Sequence, residues 1–403
     1  MTTAALEGLK VLDFTWAALG PITCDYFAVY GAEVIKIETE HRPDPWRTMS
    51  PFAGDSPGID RSGLFAFANA EKYGMALNLK HPLGVEVAKR LVKWADAVVE
   101  SYTPGSMARL GLGYEDLRKI KPDIIMLSSC MYGQTGPFAA LPGFGLTLTG
   151  AAGISHLAGW PDRPPLPSGA YTDFVVPKFN VLALLAALDY RRRTGKGQYL
   201  DVSQLEAALH FQIPVLLEYT ANGRELERIG NRSAYTAPQG VYRCQGENSW
   251  CAIAIESDEE WKNFCTVLER REWIEDRRFA TRMDRLENQE PLNRLIEEWT
   301  QGCEAEEIMR LLQNAGVSAG VAQNGEQLDK DPQLKHRQYY RELDHSEMGQ
   351  VSYSGFSMKM SETPYEIKRG APRLGEHTEY VCSEILKMTN EEFVHLLNEG
   401  VFE

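Results

Sequence analysis

The sequence lacks the cysteine arrangements that would hold a disulfide framework or a zinc ion. It has seven cysteines, an odd number, and none of them forms a C-x-x-C pair. Dispersed cysteines of this kind are typical of free thiols in a reducing compartment, so we predict a cytoplasmic protein. The cysteines are Cys24, Cys130, Cys244, Cys251, Cys265, Cys303 and Cys382.

An excess of positive charge and a long apolar run are also missing. Lysine and arginine number 42 against 56 acidic residues, and the formal net charge of -14 argues against nucleic acid as a partner. The first residues, MTTAALEGLKVLDF, have neither the basic region nor the apolar core of a signal peptide. A membrane span needs about 18 apolar residues, and the run after Asp173 is interrupted by Pro177, Lys178 and Asn180. We therefore predict no membrane partner.

Familiar nucleotide, metal and hydrolase motifs are absent as well. The turn after the first predicted strand reads TWAALGP instead of the glycine-rich G-x-G-x-x-G cradle of dinucleotide enzymes. The chain has no Walker A lysine motif, no H-E-x-x-H, no clustered Cys/His set and no G-x-S-x-G. These absences argue against a nicotinamide enzyme, a P-loop enzyme, an α/β-hydrolase and a metal site.

What the first half does contain is a regular alternation of strand-like and helix-like segments. Buried strands are predicted at 9–15, 33–38, 97–101 and 123–129, and a helix with a proline at its start is predicted at 82–96. Alternation of this kind predicts a parallel sheet with right-handed crossovers. The expected fold class is α/β, with a large Rossmann-like domain.

The length of 403 residues exceeds what one core usually supports, so two domains are expected. The polar, turn-rich stretch 222–240 is a plausible boundary, and the strand and helix patterns after it predict a small α/β domain. We predict that residues 1–221 begin the large domain and residues 222–330 form the small one. The tail, 331–403, is predicted to return to the large domain.

One acidic residue, Asp173, stands at the head of the most apolar predicted helix, FVVPKFNVLALLAALDY. A structural N-cap is the simpler interpretation, because aspartate is a preferred cap and Pro177 is tolerated only in a first turn. The same position suits a nucleophile, since a helix N-terminus lowers a carboxylate's pKa and holds it ionised. An ionised aspartate can attack an acyl group and form a covalent intermediate. The two interpretations are compatible.

Eight motifs occur in the following order along the chain: LKVLDFTWAALGP, AEVIKIE, GMALNLKHPLG, ADAVVESYTPGSMARLGLGYEDL, YGQTGP, YTDF, RRRTGKGQYLDVSQLEAAL and RLGEHTEYV. Together they resemble one known family, the class III coenzyme A transferases (formyl-CoA transferase-like). The resemblance extends from Leu9 to about Val381. It implies a Rossmann-like domain built from both chain ends, a smaller inserted domain, two interlocked subunits, and Asp173 as the nucleophile. It also implies acyl-CoA as a substrate with no cofactor tightly bound.

Residue by residue, the resemblance implies a set of CoA contacts. Lys80 and Arg109 are the better candidates for phosphate, being cationic donors. Arg42 and Arg47 lie in HRPDPWR, where the family often carries basic residues facing the nucleotide, and a solvated loop is the alternative. Trp16–Leu19 would offer backbone groups beside the thioester. The full set is Trp16, Ala17, Ala18, Leu19, Arg42, Arg47, Leu77, Lys80, Tyr102, Arg109 and Leu110.

Departures from the family pattern narrow the expected activity. Ala18 stands where formyl-CoA transferases have a glutamine, the acid that they carry near Gly145 is missing, and so is their glycine-rich loop. A formyl/oxalate pair is therefore disfavoured. The racemase branch pairs the aspartate with a histidine base, and this chain has Phe144 in that segment. We expect a transferase. A 2-methylacyl-CoA racemase or epimerase, and a non-catalytic CoA-binding subunit, are the alternatives.

The acceptor acid is expected to contact aromatic side chains. Trp16, Phe144, Phe174 and Phe179 could line an aromatic pocket, and YTDFVVPKF is similar to the branch that uses succinyl-CoA and benzylsuccinate. The expected reaction moves CoA from succinyl-CoA to a free acid such as an aryl-substituted dicarboxylate. The expected assembly is an interlocked homodimer, or a heterodimer or heterotetramer with a related subunit.

Overall fold

A computed structural model describes residues 4–403 and divides them into two compact units. The first unit holds the sheet predicted from the first half of the chain, and the second holds a smaller α/β arrangement. The first consists of the described residues up to Ser155, of Pro167–Arg224 and of Lys335–Glu403; the second consists of His156–Leu166 and Glu225–Leu334.

The second unit takes in the segment 156–166, which the sequence analysis places in the first domain. Backbone contacts account for this: Gly230 N–H donates to the Gly159 carbonyl at 2.8 Å, and Arg228 Nη1 donates to the His156 carbonyl at 2.8 Å. The segment joins the second unit through hydrogen bonds between turns. A hydrophobic pattern in the sequence does not reveal such bonds, so the boundary could not be predicted.

A six-stranded parallel sheet forms the centre of the first unit. Its strands are β1 (Lys10–Phe14), β2 (Glu33–Glu38), β3 (Tyr73–Ala76), β4 (Ala97–Glu100), β5 (Ile125–Cys130) and β6 (Tyr199–Ser203). They lie in the order β3-β2-β1-β4-β5-β6, and every neighbouring pair is parallel. The prediction of a Rossmann-like α/β fold is thereby confirmed. β3 was not predicted from the sequence, because it has only four residues and contains glycine, which has low strand propensity.

Helices connect the strands, and apolar side chains fill the space between them and the sheet. Leu12, Ile35 and Val98 of the strands pack with Val87 and Leu91 of the helix Pro82–Trp94 in one buried cluster. The helices are α1 (Leu19–Val29), α2 (Gly63–Phe67), α3 (Pro82–Trp94), α4 (Ser106–Arg109), α5 (Tyr114–Ile120), α6 (Gly145–Ala151), α7 (Ile154–Leu157), α8 (Tyr171–Val175), α9 (Pro177–Thr194), α10 (Gln204–Leu209), α11 (Ile213–Asn222), α12 (Asp258–Val267), α13 (Arg282–Glu287), α14 (Gln289–Thr300), α15 (Ala305–Asn314), α16 (Gly325–Lys330), α17 (Pro332–His336), α18 (Thr378–Tyr380) and α19 (Asn390–Asn398).

The second unit contains a three-stranded antiparallel sheet. Its strands, β7 (Gln239–Arg243), β8 (Trp250–Ala254) and β9 (Ser318–Val321), lie in sequence order. α12, α14 and α15 supply the buried residues of its core, where the Trp261 ring stacks on Phe264 with centroids 5.8 Å apart. The strands and helices that the sequence predicts here are present, since their amphipathic patterns bury one face on the sheet.

The chain returns to the first unit near its end. After the hairpin of β10 (Tyr340–His345) and β11 (Gly349–Ser354), Thr378 Oγ1 accepts from Ala76 N–H at 3.0 Å. His377 Nδ1 accepts from Gly74 N–H at 3.2 Å. These contacts attach the tail to the edge strand β3.

α8 and α9 join into one helix of 24 residues, Tyr171–Thr194. By length and composition alone this helix could cross a membrane, but a single helix of this kind is weak evidence, since core helices of soluble proteins pass the same test. Leu184 and Ala187 are fully buried against β-strand residues such as Ile125 and Leu127. The helix therefore packs on the sheet of the first unit.

Candidate active site

The carboxyl ends of β1 and β4 lie side by side where the strand order reverses. In open parallel sheets this switch point is where ligands bind, because the loops leaving the two strands diverge and leave a crevice. Trp16 N–H, just after β1, donates to Ser101 Oγ, just after β4, at 3.3 Å. Two cavities open at this place, and both are lined by residues of these loops.

The first cavity, of about 280 Å³, collects six of the predicted CoA-binding residues. Arg42 lies over the Trp16 ring, with its guanidinium carbon 4.1 Å from the ring centroid, so a cation and an aromatic face share one wall. Lys80 adds a second exposed cation. The six residues are Trp16, Arg42, Leu77, Lys80, Tyr102 and Leu110.

The second cavity has a volume of about 180 Å³ and is lined in part by Asp173, so we call it the aspartate cavity. Ala17, Ala18 and Leu19, which the sequence analysis places beside the thioester, line it. Trp16, Tyr102 and Thr103 line both cavities, so the two are neighbours. The fold thus brings Asp173 close to the turn that follows β1, although the two are more than 150 residues apart in sequence.

Asp173 lies inside the first turn of its helix and is not the N-cap. The cap position is Ala170, to whose carbonyl Asp173 N–H donates at 3.0 Å. The predicted capping role is therefore wrong: the helix starts three residues earlier than an Asp173 cap would require. The side chain instead accepts a hydrogen bond from Gln204 Nε2 at 2.7 Å.

The environment of Asp173 raises its pKa, contrary to the lowering expected of a helix cap. Burial is the larger cause, because it disfavours the charged form, and the Gln204 hydrogen bond lowers the pKa in part. The same burial leaves the Asp173 carboxylate less hydrated than that of an exposed aspartate.

Gly145, the first residue of α6, leaves the space that the Asp173 carboxylate occupies. A Cβ at this position would overlap Asp173 Oδ2 and would lie 2.5 Å from Ala170 Cβ and 2.9 Å from Ala170 Cα. Any side chain would displace the carboxylate or the helix start, so glycine is required here for close approach.

A buried ion pair, Lys36–Asp44, holds the Trp16–Ala18 turn. Ala17 has a left-handed φ of 61° and its N–H donates to Asp44 Oδ1 at 2.9 Å. Lys36 Nζ lies 3.0 Å from Asp44 Oδ2 and donates to the Thr15 carbonyl at 2.9 Å. Burial opposes the charge on Lys36, but Asp44 and neighbouring carboxylates outweigh it and raise its pKa. The strained turn is thereby fixed by charges beneath it.

Two predicted CoA-binding residues do not line the cavities. Arg47 is buried: its guanidinium pairs with Glu38 at 2.7 Å and with Asp60 at 2.6 Å, and donates to the Pro372 carbonyl. The expectation that Arg47 faces the nucleotide is not met, because these acceptors, distant in sequence, occupy its donors. Arg109 is exposed and donates to Ser106 Oγ at 2.8 Å; Ser106 lines the first cavity.

The predicted aromatic pocket is also only partly assembled. Trp16 and Phe144 line the aspartate cavity. Phe174 packs instead near Trp46, with ring centroids 6.3 Å apart, and Phe179 packs near Phe211 at 6.3 Å. Neighbouring positions on a helix point in different directions, so a cluster close in sequence does not make one pocket.

Three polar residues at or just after the carboxyl ends of β4, β5 and β6 belong to the site but were not predicted from the sequence. Ser101, Ser129 and Gln204 all line the aspartate cavity. The available signal was their position, since each stands at or just after the carboxyl end of a parallel strand.

The chain matches the model of a known protein family over most of its length. Residues 6–378 match the model of CoA-transferase family III. The human succinyl-CoA:glutarate CoA-transferase is 29% identical over 98% of this chain and 89% of its own length. The acetyl-CoA:oxalate CoA-transferase of Acetobacter aceti is 33% identical over 92% of this chain and 93% of its own.

A solved structure agrees with these matches. A CAIB/BAIF family protein from Brucella suis has a TM-score of 0.87 and 29% sequence identity, covering 95% of this chain and 100% of its own.

Proposed function

Because this chain belongs to CoA-transferase family III and is therefore an enzyme of that class, we propose that it moves CoA from succinyl-CoA to a free carboxylic acid with Asp173 as nucleophile. The observation that carries the proposal is the position of Asp173 in the wall of the aspartate cavity, beside the first cavity. Among the described residues its hydrogen-bond partner is a neutral amide, Gln204, so the carboxylate keeps its reactivity.

The proposed reaction proceeds in four steps, which involve three carbonyl carbons: those of the donor thioester, of Asp173 and of the acceptor. The Asp173 carboxylate attacks the thioester carbon, the C–S bond breaks, and a mixed anhydride and CoA thiolate form. The thiolate then attacks the aspartyl carbon, giving an aspartyl-CoA thioester and releasing succinate. The acceptor carboxylate displaces the thiolate to form a second anhydride. Attack of the thiolate on the acceptor carbon yields the new acyl-CoA and restores the aspartate.

The first cavity suits the nucleotide part of CoA. Arg42 and Lys80 are exposed cations at its lining, where they can meet phosphate, and Leu77 and Leu110 provide apolar surface. The thioester end would then reach Asp173 past Trp16 and Tyr102, which line both cavities. Arg109, bonded to Ser106, is a further phosphate donor in this proposal.

For the acceptor, we propose a dicarboxylic acid, with an aryl-substituted member such as benzylsuccinate as the first to test. The two relatives compared above are named for glutarate and oxalate, both dicarboxylates. Phe144 is 73% exposed and lines the aspartate cavity with Trp16, so an aryl group has aromatic partners there. Among the described residues, 4–403, no histidine lines the aspartate cavity to serve as the second base of a racemase, which favours transfer.

For the assembly, we propose an interlocked homodimer, with a related subunit as the alternative partner. The exposed side of the Asp173 helix and of α11 carries large apolar residues, including Leu182 at 67% and Leu217 at 58% exposure. Apolar patches of this kind usually meet a partner. Light scattering should give twice the monomer mass, and two differently tagged copies should exchange only after unfolding.

The proposed location is the cytoplasm. All seven cysteines are free in the structure, which suits a reducing compartment. Fractionation of cells expressing the protein, followed by detection with an antibody, tests this directly.

The covalent intermediate is the decisive test of the proposed function. The protein is incubated with succinyl-CoA alone and quenched with hydroxylamine, and peptides are mapped by mass spectrometry. A hydroxamate at Asp173 is expected. Asp173→Asn should show none and should lose turnover while still binding CoA. Asp189→Asn is the matched control, because Asp189 lies on the same helix and pairs with exposed Arg192 and Arg193.

An isotope experiment adds a second readout. With an acceptor whose carboxylate carries heavy oxygen, one labelled oxygen should enter the Asp173 side chain, since the second anhydride leaves an acceptor oxygen on the aspartyl carbon. An unlabelled Asp173 peptide after many turnovers would contradict the mechanism.

A further inference from the structure

Gln204 is a buried amide fixed beside the reacting carboxylate. It is only 4% exposed, and its Nε2 donates to Asp173 Oδ1 at 2.7 Å. Its backbone is held at the start of α10, directly after Ser203, whose Oγ caps that helix by accepting from Glu206 N–H at 3.3 Å. Ser203 is also paired in the sheet, opposite Cys130 of β5. The position of the Gln204 amide is thus fixed by β6, the edge strand of the sheet, and by the start of α10.

The two oxygens of Asp173 have different surroundings. Oδ1 receives the Gln204 hydrogen bond, whereas Oδ2 lies over Gly145, where a Cβ would overlap it. In the described structure Oδ2 accepts no hydrogen bond from the protein. Oδ2 is the better placed oxygen for attack, since a nucleophilic lone pair must be free.

We propose that Gln204 is a catalytic residue that stabilises negative charge on Asp173 Oδ1 when the aspartyl carbon itself is attacked. This inference rests on the proposed function. Once Oδ2 has been acylated, Oδ1 is the carbonyl oxygen of the anhydride. When the CoA thiolate attacks the aspartyl carbon, the C–S bond forms and Oδ1 takes the electron pair of the C=O bond. That pair returns as the bond to Oδ2 breaks and succinate leaves. The Gln204 N–H, already aimed at Oδ1, binds the transient oxyanion.

The proposal assigns Gln204 to two of the four steps. Formation and breakdown of the aspartyl-CoA thioester place charge on Oδ1, within reach of the amide. The first and last steps place charge on the oxygen of the substrate carbonyl instead. A neutral amide neither gives nor takes a proton at neutral pH, so it acts by hydrogen bonding alone.

The test measures how fast CoA becomes attached to Asp173 after mixing with succinyl-CoA alone, by rapid quench and mass spectrometry. Loss of one oxyanion donor typically lowers a rate by about 100-fold. Gln204→Ala should slow CoA attachment and kcat by about that factor, with little change in the KM for succinyl-CoA. Gln212→Ala is the matched control, because Gln212 is also a buried glutamine and lies outside both cavities. Thermal unfolding confirms that each variant is folded.

Gln204→Glu separates a donor from a merely structural residue. A glutamate donates to Oδ1 only when protonated, so its active form shares one proton with Asp173. Its kcat should follow a bell-shaped pH profile, falling at high pH where wild-type activity stays on its plateau. A wild-type rate of CoA attachment in Gln204→Ala would overturn the inference while leaving the proposed function intact. An unmodified Asp173 in the wild-type protein would instead overturn the proposed function.

Discussion

Trp16 and Tyr102 meet edge to face, with ring centroids 5.6 Å apart, and both line the two cavities at the switch point of the sheet. Trp16 follows β1 and Tyr102 follows β4, strands that are adjacent in space but more than eighty residues apart in sequence. The contact therefore exists only because the parallel sheet places these two carboxyl ends together. The two rings form a wall common to both cavities, and in the proposed function the thioester passes this wall on its way to Asp173.

The raised pKa of Asp173 predicts an acidic limb in the pH profile of turnover. In the proposed mechanism Asp173 reacts as the carboxylate, so kcat should fall as the pH falls through the pKa of Asp173. Because burial raises that pKa, the limb should lie above the value of about 3.9 typical of aspartate. Gln204→Ala should move it higher still, since the lost hydrogen bond had lowered the pKa. A limb at the ordinary value in wild-type protein would contradict this.

Gly145→Ala should abolish most of the activity. The new Cβ would overlap Asp173 Oδ2 and approach Ala170 to 2.5 Å, forcing the carboxylate out of place. Gly150→Ala is the control on the same helix, because a Cβ there meets nothing within 4 Å. That variant should keep wild-type kcat and lose no stability, because alanine has a higher helix propensity than glycine and Gly150 lies in the last turn of α6. Equal kcat values for the two variants would contradict the prediction.

Arg47→Ala and Arg42→Ala should have opposite signatures although they lie in one short segment. Removing Arg47 leaves Glu38 buried without its partner, which should cost about 3–5 kcal/mol of the free energy of unfolding. Removing exposed Arg42 should raise the KM for succinyl-CoA about tenfold, as expected for a lost phosphate or cation–π contact of about 1.4 kcal/mol, with unchanged stability. Urea unfolding and steady-state kinetics on both variants provide the check. An Arg47→Ala protein with wild-type stability would be the contrary result.

The free energy of unfolding should decrease as the pH rises, because Asp25 is protonated in the folded protein. Burial raises its pKa from 3.8 to about 8, against the opposing effect of Lys72, and its Oδ1 has no hydrogen-bond partner among the described residues. The folded state therefore holds a proton that the unfolded state releases between these two values, and the free energy of unfolding decreases by up to about 1.4 kcal/mol per pH unit in that window.

The measurement is urea unfolding of wild-type protein and of Asp25→Asn at several pH values between about 4 and 8. The variant should lose most of the slope and be the more stable protein at the upper end. Parallel stability curves for the two proteins would contradict the assignment.

The sequence by itself determined the α/β class, most of the parallel strands and the family, because these depend on local hydrophobic periods and on contiguous motifs. It singled out Asp173 for the same reason: one acid beside a long apolar run is visible without a structure. It could not show that the helix begins before Asp173, since the start is defined by Ala170, which has no capping side chain.

Only the tertiary structure decided which side chains surround that aspartate. Gln204 and Gly145 lie far from it in sequence and reach it through the packing of three helices, α6, α8 and α10. The tertiary structure also decided the role of Arg47. Its guanidinium is buried by ion pairs with Glu38 and Asp60, which its neighbours in HRPDPWR do not reveal. Burial and hydrogen bonding depend on distances between strands and helices, and a linear pattern does not contain those distances.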